Sequence, residues 1–98
     1  MSTSKDFKDY VLGQLDGLEN ITCRPMMGEF LIYQDGTLFG GIYDEKLLLK
    51  EVGGVRKYNL PQVIPYASAK RTMFYVEDLD DTEKLAELVR TTVAELRK

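Results

Sequence analysis

Residues 24–40 read Arg24-Pro25-Met26-Met27-Gly28-Glu29-Phe30-Leu31-Ile32-Tyr33-Gln34-Asp35-Gly36-Thr37-Leu38-Phe39-Gly40, and their reading decides the fold. The span from Ile21 to Tyr33 is rich in β-branched and aromatic residues and predicts a strand, interrupted near Pro25 and Gly28. Pro25 has no N–H to give to a ladder, so the segment belongs at a sheet edge or at a bulge. Gln34-Asp35-Gly36-Thr37 supplies the Asp-Gly step of a tight hairpin turn. The quoted stretch is therefore one kinked strand, a turn and the start of a second strand.

Working outward, Leu38 to Tyr43 and Lys46 to Glu51 predict two more strands joined at Asp44-Glu45, completing a three-stranded antiparallel meander. Gly53-Gly54 breaks it, and Val55 to Asn59 suits a short helical turn. Ile64 to Ala67 and Thr72 to Glu77 are the remaining strand candidates. Before the meander, Phe7, Tyr10, Val11, Gln14, Leu15 and Leu18 recur at helical spacing and place one stripe on one face. Ser4 is the expected N-cap. After the last strand, Leu85, Leu88, Val89, Thr92 and Leu96 form a second stripe. Asp80 with Glu83 has the spacing of a capping box, and the acidic first turn suits the positive end of the helix dipole.

The order is α-β-β-β-α-β-β-α. The expectation is a two-layer α+β domain spanning residues 1–98, with a mainly antiparallel five-stranded sheet. Its long helices, at about Ser4–Leu18 and Asp81–Leu96, cover one face.

Composition bounds the rest. A chain of 98 residues makes one domain, and 44% hydrophobic residues support a core. The N-terminus lacks a basic start with an apolar run behind it, no stretch is long enough for a membrane span, and the single cysteine, Cys23, allows no internal disulfide. These features predict a cytoplasmic protein without membrane association. The net charge of −3 and pI of about 4.9 argue against direct nucleic-acid binding. The doublets Arg56-Lys57, Lys70-Arg71 and Arg97-Lys98 read as solvated surface pairs.

The chemistry points away from catalysis. The chain has no histidine, which excludes Ser-His-Asp and Cys-His nucleophiles and most zinc sites. No catalytic, cofactor-binding or metal-ligating residue is expected. Cys23 reads as a plain buried thiol. Tyr66 and Lys70 match a Tyr-x-x-x-Lys pair, but no Gly-rich nucleotide turn accompanies them. They read instead as a residue at a sheet end and a turn residue. Gly40-Gly41 marks a bulge or a close helix approach rather than a phosphate loop. The acidic run Glu77-Asp78-Leu79-Asp80-Asp81 lacks EF-hand spacing and reads as helix capping. Glu29 with Asp35 is no convincing carboxylate pair.

The same residues resemble a known bacterial signature. The N-terminal domain of the TfoX/Sxy competence regulators carries an Arg-x-Met-Phe/Met-Gly motif, an aromatic-rich strand ending in Tyr, an Asp-Gly-like turn and a Phe-Gly or Phe-Ala step. Arg24, Met26, Met27, Gly28, Tyr33, Asp35, Gly36 and Phe39 stand in that order and spacing. Leu47 to Lys50, Pro65-Tyr66, Met73-Phe74-Tyr75-Val76 and the closing helix are similar too. Glu29 stands where many members have glycine, and the segment between Lys50 and Pro65 is short. The chain reads as a stand-alone copy of this domain. The resemblance implies a two-layer fold like that of secretion chaperones, and a link to competence genes through a transcription regulator as partner.

The expected function is that of a small non-enzymatic binding module acting through protein contacts. Its candidate contact surface is Arg24, Met26, Met27 and Tyr33. The methionines serve either core packing or a partner surface, and Arg24 either a partner or an acidic helix residue. The broken strand also offers an edge for a homodimer. The alternative is a small-ligand binder or enzyme using the cleft between helix and sheet.

Overall fold

The computed structural model describes residues 3–98; the expectation resting on Met1 and Ser2, that no leader begins there, lies outside them. The chain is α+β. Helix α1 (Lys5–Gln14) precedes strands β1 (Ile21–Met26), β2 (Glu29–Gln34), β3 (Thr37–Tyr43) and β4 (Lys46–Leu49). A 3₁₀ helix (Gly53–Tyr58), β5 (Gln62–Val63), β6 (Met73–Val76) and helix α2 (Thr82–Leu96) follow. All strand pairs are antiparallel, in the order β1-β2-β3-β4-β6-β5, so the sheet is open, with β1 and β5 at its edges.

The two-layer architecture is as expected, but the sheet has six strands rather than five. The stretch read as one kinked strand is a hairpin: Met26 pairs with Glu29 across a two-residue turn made by Met27 and Gly28. Both turn residues have positive φ, +50° and +86°. This is the turn geometry whose twist matches flanking antiparallel strands. Asp35-Gly36 makes a second such turn, as expected, and Asp44-Glu45 a third, with φ of +49° and +61°. The last strand candidates shift as well. Ile64 to Ala67 is irregular, and the edge strand is Gln62–Val63, fixed by pairing with Met73 and Phe74 rather than by any local alternation.

The helix stripes pack as their spacing requires. Val11, Leu15 and Leu18 from the first segment, and Leu85, Leu88, Val89 and Val93 from α2, join Ile32, Phe39, Ile42, Leu47, Leu49, Phe74 and Val76 in one core. Both helices therefore lie on one face of the sheet. Tyr10, in the expected stripe, is partly exposed and donates to Asp80 at 2.6 Å. Helix α1 is capped by the Ser4 hydroxyl, which accepts from the Phe7 N–H at 3.1 Å. Helix α2 is capped by Asp81, one residue later than expected, because its carboxylate and not that of Asp80 reaches the Lys84 N–H.

Phe39 is the extra residue of a β-bulge between β2 and β3, where Ile32 pairs with Gly40 and Tyr33 with Leu38. The bulge lets Phe39 fill the core. Gly40 must then stay bare: a Cβ there would lie 2.2 Å from the Leu48 carbonyl oxygen.

Candidate functional site

Strand alternation assigns the helix-free face. Arg24 pairs with Leu31, Leu31 with Gly41, Gly41 with Leu48 and Leu48 with Tyr75. Side chains two apart on one strand share its face, so Thr22, Met26, Tyr33, Tyr43 and Met73 stand there too. This face carries several aromatic residues and both half-buried methionines. In its middle, Gly41 leaves room for the Tyr43 ring, since a Cβ at Gly41 would come within 2.7 Å of that ring. Tyr66, from the 64–72 loop, covers Tyr43 with ring centres 6.2 Å apart. Leu48, on the same face between Gly41 and Tyr75, is 1% exposed. Burial raises the Tyr43 phenol above its ordinary pKa, with the neighbouring Tyr66 and Glu29 adding to the effect.

The β1–β2 end of this face stays open. Arg24 is exposed and sets its guanidinium 5.9 Å from the centre of the half-buried Tyr33 ring. Among the described residues no acidic group pairs with Arg24. Met26 is half-buried beside it, and Met27 projects from the turn at 95% exposure. Neither methionine is in the core. The structure thus brings Arg24, Met26 and Tyr33 to one patch and puts Met27 at its rim.

The outer side of β1 is open too. The Asp35 N–H donates to the Asn20 carbonyl at 3.1 Å, which sets the phase of the ladder. Thr22, Arg24 and Met26 then bond toward β2, while Ile21, Cys23 and Pro25 turn their backbone groups outward. Pro25 falls at one of the outward positions, where its missing N–H costs the sheet nothing. The Cys23 side chain shares the Ile32 face, toward the helices, and is only half-buried, not fully buried as expected. Desolvation raises its thiol pKa, and nearby Lys8 only partly offsets this, so it stays a thiol.

Sequence reasoning missed the role of Glu29. Its carboxylate accepts from the Thr3 hydroxyl at 2.8 Å and the Asp44 N–H at 3.1 Å. The Thr3 N–H donates to the Gly28 carbonyl at 3.0 Å, and the Ser4 hydroxyl to Glu45 at 2.9 Å. The segment before α1 is thus pinned to two turns at one end of the sheet. These partners lie far apart in sequence, and no local pattern announces them.

Two open recesses stand out among the described residues. One runs between α1 and α2, lined by Gly13, Gln14, Glu83, Glu87 and Arg90 among others. The other lies between the 64–72 loop and the sheet, with Tyr43, Lys50, Tyr66 and Arg71 in its wall. No cluster of three or more metal-ligating side chains occurs among the described residues, and no helix there is long and apolar enough to cross a membrane.

No curated protein matches the chain. A family model does, over residues 13–96, and these include the whole signature from Arg24 to Phe39 and the sheet that displays it. On that match the chain belongs to the TfoX N-terminal domain family.

Proposed function

We propose that the protein is a non-catalytic binding module of the cytoplasm, and that the helix-free end of its β1–β2 hairpin is the contact surface for a protein partner. The observation that carries this reading is the pairing of Arg24 with Tyr33 beside Met26, under the exposed Met27 turn. An unpaired guanidinium held over a ring can take a partner carboxylate without searching many rotamers. Methionines give an apolar contact that adapts its shape. A non-Gly residue at positive φ carries backbone strain of the kind that clusters at functional positions.

The partner is a protein that supplies a carboxylate to Arg24 and apolar side chains to Met26 and Met27. Family membership favours a transcription regulator in that role, in the setting of competence genes. The outward groups of Ile21, Cys23 and Pro25 can also receive a strand. A second copy meeting them about a two-fold axis at Cys23 would give a homodimer. The acidic balance of the chain supports contact with protein and not with DNA.

The test is substitution of Arg24 by Glu, of Met26 and Met27 by Ser, and of Tyr33 by Ala, with folding checked by circular dichroism. Folded variants should lose partner binding or change oligomeric mass. If all of them keep both, the signature is structural and the proposal fails. Titration with duplex DNA at physiological salt should give no complex tighter than about 1 μM.

A further inference from the structure

Charge is divided unevenly along the chain. Residues 21–76 carry seven Lys and Arg against five Asp and Glu, while the segments before and after them carry six against eleven. The sheet and its loops are therefore cationic, and the helical ends are acidic. The cations gather at the recess between the 64–72 loop and the sheet, whose volume is about 1070 Å³. Lys50, Arg56, Lys70 and Arg71 line it, and Glu51 is the one acidic residue in its wall. The Glu51 carboxylate is already engaged. It accepts from Gln62 at 2.9 Å and from the Thr72 hydroxyl, with Arg56 at 3.9 Å. It therefore leaves the other three cations uncompensated.

The same recess has an aromatic wall. Tyr66 is 52% exposed and rests on the buried Tyr43 at 6.2 Å, so its position is held from beneath while part of its ring faces solvent. Leu38 and Met73 add apolar lining. The recess thus sets charged and hydroxyl groups against an aromatic and apolar wall, a combination that small-molecule sites use to orient a ligand.

We propose that this recess binds a nucleotide, with its phosphates on Lys50, Lys70 and Arg71 and its base against Tyr66. Three uncompensated cations around one recess call for an anion of more than one charge, and an exposed, supported ring calls for a planar group attached to it. The small size of the anion matters. The chain as a whole carries a net charge of −3, which disfavours a long polyanion, whereas a compact nucleotide meets chiefly the local cations, because at physiological salt charges act over about 8 Å. The site is separate from the β1–β2 contact surface and does not depend on it.

The experiment is an amide NMR titration of the full chain with ADP, adenosine, inorganic phosphate and a single-stranded oligonucleotide. Binding of ADP should saturate with a dissociation constant below about 1 mM. Its shifts should concentrate at Lys50, Tyr66, Lys70 and Arg71. Adenosine and phosphate should each bind at least about tenfold more weakly than ADP. A Lys70→Glu, Arg71→Glu double variant should lose ADP binding, and Tyr66→Ala should weaken ADP toward the affinity of phosphate. Both changes are at exposed positions, and a dispersed amide spectrum confirms folding. Arg24→Glu should leave ADP binding unchanged. Shifts spread over the molecule, equal affinity for ADP and phosphate, tighter binding of the oligonucleotide, or full affinity in the folded double variant would each overturn the proposal.

Discussion

The Arg24 guanidinium lies 5.9 Å from the centre of the Tyr33 ring, on a face of the sheet that neither helix covers. The two residues belong to neighbouring strands, where Thr22 and not Arg24 is the direct partner of Tyr33. The contact is therefore diagonal, within reach of long side chains across an antiparallel pair. Nothing else among the described residues claims the charge of Arg24. An exposed cation–ring contact contributes about 0.5–1 kcal/mol. Arg24→Ala should cost the fold no more than this in urea melts, and a loss of over about 2 kcal/mol would make Arg24 part of the framework.

Met27 should be a position where stability and contact oppose each other. It holds φ at +50° in a turn that favours Asn or Gly. Met27→Asn removes that strain, and the left-handed region costs an ordinary residue roughly 1–2 kcal/mol. The variant should therefore be more stable than the parent by about 1 kcal/mol while binding its partner more weakly. Lower stability in thermal melts would show that the Met27 side chain supports the hairpin.

Core substitutions should be costly. Leu88 is 1% exposed in the inward stripe of α2, so Leu88→Ala should lose about 2–5 kcal/mol. A loss below about 1 kcal/mol would contradict the packing of that helix. Gly40→Ala tests the bulge by the opposite route. Its Cβ meets backbone and not a flexible side-chain end, so the sheet must shift, at about 1–3 kcal/mol.

High pH should unfold the protein earlier than its carboxylates and lysines alone would require. Burial raises the Tyr43 phenol from an ordinary value of 10.0, and the bond to Asp80 raises Tyr10 from the same value. Folded-state values above the unfolded ones mean that this stabilisation is fully present below about pH 10 and is lost as pH rises through the folded-state values. Denaturant midpoints should therefore fall above that pH, in step with phenolate absorbance. Tyr43→Phe should flatten the fall; an unchanged slope would place the titrating groups elsewhere.

The helices were legible in the sequence because burial repeats at helical spacing. Val11, Leu15, Leu85, Leu88, Val89 and Thr92 all point inward, and Val93 extends the same stripe. The Asp35-Gly36 hairpin was legible because its turn needs those residue types. The Met27-Gly28 hairpin was not, since methionine carries no turn signal and Pro25 suggested a kink. The signature named Arg24, Met26, Met27 and Tyr33 as a surface, but that single turn hid how they meet. Read as one strand, Arg24 and Tyr33 are far apart, and only the hairpin brings them together. The two-residue β5 was hidden for another reason: pairing with β6 defines it, and no local alternation does. The capping residue moved by one position, from Asp80 to Asp81, because a run of acids offers several equivalent caps and tertiary packing chooses among them.

The most direct test is a photo-crosslinking residue placed at position 27, compared with the same residue at Glu83 on the exposed side of α2, in the cells that produce the protein. The account predicts one or a few discrete adducts from position 27, lost when Arg24→Glu is added, and none of these from position 83. Adducts that persist with Arg24→Glu, or that form equally from both positions, would contradict a contact surface on the β1–β2 hairpin.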